Sequence, residues 1–216
     1  MPRILSAAPG VDEPPGHGRH QSGGASSGGR TIAARLDPTT VERARRGDPE
    51  AFEAIVRDRI GAVYRLSLAI VGNDADAADA TQEAFVTAWR QIRTLRDPER
   101  LEAWLARIAV NAARILARGR RRRSVREIPG LEHADGAERT TLGDPAGRAA
   151  DDARSLGLAL DRLTPDHRAI LALHHLEGRG VAEIATILAI RPGTVKSRLF
   201  AARRALAASL AAEDPR

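Results

Sequence analysis

Near the carboxyl terminus, one short segment that begins at Pro192 carries side chains that are well suited to binding nucleic acid. From this segment project hydroxyl, ammonium and guanidinium groups, namely Thr194, Lys196, Ser197, Arg198, Arg203 and Arg204. When the first turn of a helix enters a major groove, such groups can reach base edges and phosphates. The segment is therefore a candidate DNA-contacting helix. An ordinary helical hairpin with a solvated charged face is the alternative.

The residues around this segment predict a helix-turn-helix over 180–206. Apolar residues recur so that two short helices crossing at a steep angle would bury them against each other, with small Ala185 at the closest approach; they are Ile184, Leu188, Ile190, Val195 and Leu199. Pro192 suits a first helical position because its missing N–H is not needed there. At the turn, Ala189 stands where a glycine would adopt a left-handed conformation more easily.

A second candidate nucleic-acid surface is a block of arginines between residues 107 and 126. The block contains eight arginines and no acid, at positions 107, 114, 118, 120, 121, 122, 123 and 126. Such a charge is suited to phosphates, and a solvated helix end stabilised by the helix dipole is the alternative. From 127 to 152 the balance reverses to seven acids against two arginines among several glycines and prolines, which indicates an acidic linker. This linker is either a spacer or a mimic of nucleic acid.

Composition limits the fold class and the kinds of site. Of the 216 residues, 43% are hydrophobic and 3% aromatic, β-branched runs are few and strand-like alternation is missing, so we expect an all-helical protein. The net charge of +6 favours an anionic partner. The sequence has no cysteine, which excludes disulfides and thiolate metal sites. Prolines and glycines interrupt the start of the chain and no apolar run reaches the length of a membrane span, so we expect a cytoplasmic protein without membrane insertion.

The first 38 residues are rich in Gly, Ser and Pro and predict a disordered tail. Its His17 and His20 lack further ligands and are expected to be solvent-exposed rather than a metal pair. Order is predicted to begin at Asp48-Pro49-Glu50, which has the capping residue, proline and acid of a helix start.

Three helices with short connections are predicted to form a bundle after Asp48. The first ends near Gly72, the second runs from about Asp74 to Leu95, and the third starts at Asp97-Pro98-Glu99. The apolar stripe of the third helix is predicted to face inward and comprises Leu101, Trp104, Leu105, Ile108, Ala112 and Ile115.

A further helix is predicted over about 149–163, and Thr164-Pro165-Asp166 predicts the start of the next one. His174 and His175 near the end of that helix point about 100° apart and are expected to be packing or surface residues.

Three motifs follow one another along the chain: DAADATQEAFVTAWR at 76–90, WLARIAVNAAR at 104–114, and a segment over 163–206 that starts LTPDHRAILALHHLEG. In this order they resemble the extracytoplasmic-function group of bacterial sigma factors, in the sigma-70 family. The first resembles the family's helix that docks on the polymerase β′ clamp helices, and the second is similar to the helix that touches the melted downstream promoter element. The third resembles the region that reads the upstream element. The resemblance covers most of residues 48–208.

The resemblance implies two small helical domains, a three- to four-helix bundle and then a four-helix domain with the helix-turn-helix, joined by a flexible acidic linker. The expected boundaries are a tail over 1–38, sigma region 2 over 39–123, a linker over 124–150 and sigma region 4 over 151–212. The linker is expected to pass through the polymerase cleft. The partners implied are core RNA polymerase, through its β′ clamp helices and β flap, promoter DNA and an anti-sigma factor, with no cofactor.

Roles follow from the resemblance residue by residue. Polymerase docking is expected from Asp79, Gln82 and Glu83. Binding of the downstream element, including a flipped base captured by the loop at 93–100, is expected from Arg93, Arg96, Arg100, Arg107, Asn111, Arg114, Arg118, Arg120, Arg121, Arg122 and Arg123. Binding of the upstream element is expected from Arg191, Thr194, Lys196, Ser197, Arg198, Arg203 and Arg204.

Three other classes of protein remain as alternatives. A helical transcription regulator that acts without polymerase would share the helix-turn-helix but would more often have a ligand pocket or a dimer seam. A helical adaptor that binds only protein would not need the arginine block. An enzyme is the least favoured class, because the sequence shows no nucleophile paired with a base, no phosphate-binding glycine loop and no metal-ligand cluster.

Overall fold

A computed structural model of the protein describes residues 36–126 and 145–212, and every regular element in these two ranges is helical. The described residues belong to one compact unit that begins at Leu36. The predicted all-helical class is confirmed. Residues 1–35 of the predicted tail, with His17 and His20, and the middle of the predicted linker, residues 127–144, lie outside the described residues.

The first bundle consists of the helices that precede residue 127. They are α1 (Pro38–Arg45), α2 (Pro49–Val71), α3 (Asp74–Gln91) and α4 (Leu101–Arg126). Helices α2, α3 and α4 pack against one another, and two short 3₁₀ turns, Ile92–Thr94 and Pro98–Arg100, connect α3 to α4. Helix α3 therefore ends four residues before the predicted Leu95.

The ends of α2 follow the predicted signals. Asp48 caps the helix, since its Oδ1 accepts hydrogen bonds from the backbone N–H groups of Glu50 at 3.0 Å and Ala51 at 3.2 Å. Gly72 ends it in the left-handed conformation, with a φ of 86°. A residue with a Cβ would be strained at this position.

Helix α1 shows that the prediction that order begins at Asp48 was wrong. The Asp37 carboxylate accepts a hydrogen bond from the Thr39 backbone N–H at 3.0 Å, and Pro38 occupies the first position, so the same capping signals are present eleven residues earlier. Within this helix only Val41 and Ala44 are fully buried. These two contacts anchor α1 on the bundle, and a two-residue apolar stripe is too short to reveal a helix by periodicity.

The second bundle consists of the helices after residue 144. They are α5 (Pro145–Asp161), α6 (Pro165–Leu171), α7 (Val181–Leu188) and α8 (Pro192–Ala211). Helix α6 continues as one π-helical turn, Ala172–Leu176. The Thr164 hydroxyl oxygen caps α6 as predicted, accepting from the His167 backbone N–H at 3.2 Å. Helix α8 packs on α5, α6 and α7.

The buried apolar side chains of both bundles form one continuous cluster. Within α4 the buried stripe follows the prediction from Leu101 to Ala112 and then continues through Ala113 and Ala117. Because the buried stripe continues through these alanines, Ile115 faces outward and is 67% exposed. The prediction that Ile115 faces inward was therefore wrong.

Candidate polymerase and nucleic-acid interfaces

Helix α3 presents the residues predicted to dock on polymerase along one exposed face. Asp79, Gln82 and Glu83 are spaced three and four residues apart and are all exposed. They form one side of a groove of about 440 Å³ between α3 and α4. The prediction that they share a surface is in accord with this geometry.

The floor of this groove is apolar, and sequence reasoning missed it. It is formed by Val86 of α3 and by Ala112, Ile115 and Leu116 of α4. An exposed isoleucine beside two carboxylates fits an amphipathic basic helix, because apolar and charged contacts are both offered. The spacing gave no signal for this floor, because Ile115 continues the stripe of Leu101, Leu105, Ile108 and Ala112 and is nevertheless exposed.

A cavity of about 400 Å³ lies where the α3–α4 connection meets α4. The structure brings Arg96, Arg100 and Arg107 together around it, with the buried Trp104 in its wall. The Trp104 indole N–H has no hydrogen-bond partner. Three cations around an apolar ring can accommodate a nucleobase and its phosphates.

The lining of this cavity differs from the predicted set of residues at two positions. Arg93 is not part of the lining, and its guanidinium group lies at Gly47, between α1 and α2. Thr186 of α7 is part of the lining, although it belongs to the second bundle. The helix-turn-helix therefore borders a site that the sequence assigned to the first bundle alone.

Further along α4, Arg107, Asn111, Arg114 and Arg118 lie on one helical face because they are three or four residues apart. Arg107 and Asn111 are exposed. Arg114 and Arg118 instead form ion pairs with Asp166 in the first turn of α6. The Arg118 guanidinium donates to both Asp166 carboxylate oxygens, at 3.1 Å and 3.0 Å. Two predicted phosphate ligands are thus bound to an acid of the second bundle.

The Asp166 carboxyl group is ionised in this arrangement. Partial burial by itself would raise its pKa, but the Arg118 hydrogen bond and the charges of Arg114 and Arg118 outweigh burial and lower the pKa below its ordinary value.

The structure describes the side chain of Arg120, the first arginine of the run at the end of α4. The Arg120 guanidinium donates to the Asp76 carboxylate at 3.0 Å, which directs it towards the start of α3. Arg121, Arg122 and Arg123 lie on the last turns of α4, and their side chains are outside the described part of the chain.

The helix-turn-helix has the predicted arrangement. Ala189 follows α7 with φ 53° and ψ 47°, which is the left-handed conformation that the sequence assigned to this turn. Pro192 is the first residue of α8. The predicted contact residues Val195 and Leu199 are buried, as is Ile184 of α7. The opposite face of α8 is left for contacts with other molecules.

The residues predicted to read the upstream element lie mostly on that outer face. Arg191, Lys196, Ser197, Arg198, Arg203 and Arg204 are exposed, and Thr194 is half-buried. The Ser197 hydroxyl donates to the Thr194 carbonyl oxygen at 3.1 Å, Arg203 lies beside His175, and Arg204 lies over the Phe200 ring at 5.9 Å. Phe200 is 64% exposed and was not predicted as a surface residue.

The two adjacent histidines have structural contacts. The His174 Nδ1 lies 3.1 Å from the Arg179 carbonyl oxygen, and its ring stacks edge-on against His175. Burial, together with the charges of His174 and Arg203, lowers the pKa of His175. Within residues 36–126 and 145–212, no group of three or more His, Asp or Glu side chains could hold a metal ion, and no helix is long and apolar enough to cross a membrane.

Two family models match the chain, one on each bundle. The model for Sigma-70 region 2 matches residues 55–123, and the model for Sigma-70 region 4 matches residues 153–206.

Curated relatives match across both bundles. The RNA polymerase sigma-H factor of Pseudomonas aeruginosa is 32% identical over 187 residues, which are 81% of this chain and 94% of that protein. The ECF RNA polymerase sigma-E factor of Escherichia coli K12 is 33% identical over 176 residues, 79% of this chain and 92% of that protein.

Solved structures show the same fold. CnrH, in its complex with the cytosolic domain of CnrY, superposes with a TM-score of 0.57 and 26% identity, over 82% of this chain and 99% of that chain. The sigma factor RpoE of Bartonella quintana, in complex with the anti-sigma factor NepR, gives a TM-score of 0.57 at 22% identity.

Proposed function

Since the chain belongs to the extracytoplasmic-function group of the sigma-70 family, a family of transcription initiation factors that direct core RNA polymerase to promoters, we propose which of its surfaces perform each part of that work. The observation that carries the proposal is the order of surfaces on one chain: an acidic groove and a cationic cavity on the first bundle, then a cationic helix-turn-helix on the second. We assign residues 39–123 to sigma region 2, 124–150 to the linker and 151–212 to sigma region 4.

The α3–α4 groove binds the β′ clamp helices of core polymerase. Asp79, Gln82 and Glu83 supply charge and hydrogen bonds at its rim, and Ile115 supplies apolar contact on its floor. Since Ile115 is largely exposed in the free chain, docking buries apolar surface that folding leaves in water.

The cavity bordered by Arg96, Arg100 and Arg107 binds the melted downstream element. Its arginines hold phosphates and its apolar wall stacks on an extruded base, which offsets part of the free-energy cost of unpairing. Asn111 on the adjacent turn of α4 can both donate to and accept from a base edge. Arg114, Arg118 and Arg120–Arg123 neutralise the phosphates that follow.

Helix α8 reads the upstream element in duplex form. Arg191, Thr194, Lys196, Ser197 and Arg198 lie at its start, where a recognition helix meets base edges, and Arg203 and Arg204 lie further along for phosphates. The exposed Phe200 beside Arg204 offers an apolar contact for the β flap of polymerase.

We call α8 with Arg191 the upstream reader and the arginines of α4 with the adjoining cavity the downstream reader. The two readers act together because one chain joins them. Each alone is weak, and their linkage makes the second contact effectively intramolecular once the first has formed. The sigma family is a non-catalytic family, so this chain acts by binding, and its partners place its work in the cytoplasm. CnrH and the Bartonella RpoE were solved bound to partner proteins, and NepR is an anti-sigma factor, so we expect an anti-sigma factor here too.

The experiment that tests this function is run-off transcription with purified chain and core RNA polymerase over a genomic promoter library. We expect discrete start sites that share paired upstream and downstream elements. Replacing the rim with Gln82→Ala and Glu83→Ala, or the floor with Ile115→Ala, should reduce transcription and core binding together, because both depend on docking in this groove. The variants should remain folded, since these side chains are exposed and contribute little to folding.

The matched control is the exposed pair Gln91→Ala and Glu53→Ala, which lies outside the groove and should leave transcription unchanged. Equal loss in both pairs would contradict the docking assignment. Protection of specific DNA by the chain alone, without any transcripts from active core, would favour a regulator that acts without polymerase.

A further inference from the structure

The two bundles are joined by contacts made by charged side chains as well as by apolar packing. Helices α6 and α7 lie against α2 and α4, and the apolar cluster is continuous across this boundary. Polar contacts are found at three places along it, each with a different geometry.

The first contact is the Asp166 latch, which we define as Asp166 with Arg114 and Arg118. It joins residues 48 and 52 positions apart in sequence, and Arg118 contributes a hydrogen bond to each carboxylate oxygen. Only 18% of the Arg114 side chain is exposed. A carboxylate held in this way occupies the donors that would otherwise bind a phosphate.

The second contact shows that the boundary is closely fitted. The Asp161–Arg168 ion pair, at 3.0 Å, lies against Gly72 at the end of α2. A Cβ on Gly72 would lie 2.5 Å from the Asp161 Oδ1 and 2.8 Å from an Arg168 guanidinium nitrogen. A side chain at this position would therefore require the ion pair to shift.

The third contact lies at the start of α4. The Glu102 carboxylate is 3.6 Å from the Arg179 guanidinium of the second bundle and 3.1 Å from the Arg59 guanidinium of the first. The Arg59 side chain is only 10% exposed. Glu102 is thus shared between the two bundles.

From these contacts we infer that the second bundle holds the free chain in a closed state in which Asp166 competes with promoter phosphates for Arg114 and Arg118. The closed state also brings Thr186 to the cavity of Arg96, Arg100 and Arg107, so that the helix-turn-helix borders the site for the melted strand. Promoter engagement requires the latch to open. This inference rests on the proposed role of Arg114 and Arg118 in DNA binding, whereas the closed state itself does not.

The absence of cysteine allows the closed state to be measured directly in the full chain. Spin labels at Ala78→Cys in α3 and Ala207→Cys in α8, both exposed positions, report the distance between the bundles by pulsed electron resonance. We expect one narrow, short distance at about 0.1 M salt and a longer, broader distribution at about 1 M salt, where ionic contacts are screened.

Asp166→Asn and Arg118→Gln remove the latch from opposite sides. Each should shift the distance towards the high-salt distribution at low salt, and far-UV circular dichroism should show unchanged helix content. The control Asp151→Asn changes net charge as Asp166→Asn does, at an exposed position, and should leave the distance as in the parent chain. An unchanged distance in both latch variants would overturn the inference.

The competition with phosphate is measured by binding of a labelled single-stranded DNA of mixed sequence to the unlabelled chain. We expect Asp166→Asn to bind about fivefold more tightly than the parent, the size expected when partly exposed ion pairs are removed. Equal gains in Asp166→Asn and Asp151→Asn would reduce the effect to net charge and overturn the competition. The distance measurement contains neither DNA nor polymerase, so failure of the sigma function would be seen separately, in the transcription assay.

Discussion

The two bundles differ in how their DNA-binding cations are occupied. On the first bundle, Arg100, Arg114, Arg118 and Arg120 all form ion pairs with acids of the same chain. By contrast, Arg191 just before α8 and the cations Lys196, Arg198, Arg203 and Arg204 on it form no ion pair with any acid in the part of the chain that the structure describes. The cations of α8 are therefore exposed for binding, while Arg114, Arg118 and Arg120 of the downstream site must first lose internal partners. This difference predicts the order of events on a promoter, with α8 binding before α4.

The largest effect is expected at Gly72, where the boundary between the two bundles has no space for a side chain. Gly72→Ala would impose a left-handed φ on alanine and a collision with the Asp161–Arg168 pair, so we expect it to destabilise the chain by about 1–3 kcal/mol. Thermal unfolding checks the loss. We also expect the spin-label distance to lengthen.

The matched control for Gly72 is Gly61→Ala in the same helix. Gly61 is helical, and an added Cβ would meet only the guanidinium group of the exposed Arg65, at an ordinary 3.5 Å. Because alanine is the better helix former, this change should stabilise the chain by about 0.5–1 kcal/mol. Similar losses of stability at both glycines would contradict the close fit of the boundary.

The second prediction compares one cation from each reader in a double-mutant cycle. Arg198→Ala should weaken binding of upstream duplex DNA to the same extent whether or not Asp166 is present, reducing the salt slope by about one unit. Arg118→Ala should weaken binding of single-stranded DNA much more in the Asp166→Asn background than in the parent, because only there is Arg118 free of Asp166. Fluorescence anisotropy over a salt series measures both. An Arg118 effect independent of Asp166 would break the contrast between the two readers.

Local signals in the sequence predicted most of the helices and the surface of α8. The caps at Asp48 and Thr164, the buried Val195 and the left-handed Ala189 all follow from rules that span a few residues, and all are confirmed. The Asp166 latch could not be predicted in this way. Asp166 indicated only a helix start, since its pairing with Arg118 depends on how two distant helices pack.

The same limit explains two missed features of the first bundle. Helix α1 buries only Val41 and Ala44, so its attachment is a tertiary contact without a periodic pattern. Ile115 was assigned to the core because it continues the spacing of the residues before it, yet the buried stripe follows Ala113 and Ala117. In both cases the neighbouring helices, rather than the segment's own periodicity, decide which residues are buried.

The third prediction concerns pH, and it separates the latch from the histidines near it. The pKa of Asp166 is lowered in the closed state, so its contribution to closure is complete above its ordinary pKa of about 3.9 and is lost as the pH falls through the lowered value. The spin-label distance should therefore stay constant from about pH 8 to pH 5 and lengthen only below about pH 4. Lengthening between pH 7 and pH 5 would assign closure to a histidine instead of Asp166.

The smallest effect is expected at the turn of the helix-turn-helix, where the second bundle retains a local strain. Ala189 has a φ of 53°, a conformation in which glycine has no steric penalty, but glycine also gains more entropy in the unfolded chain. Ala189→Gly should therefore stabilise the chain by only about 0.5 kcal/mol, whereas the control Ala182→Gly, at an exposed helical position of α7, should destabilise it by about 1 kcal/mol. Denaturant unfolding measures both changes. Because Ala189 lies away from the latch, the spin-label distance should be the same in both variants, and a change in it would show that the turn and the boundary between the bundles are coupled.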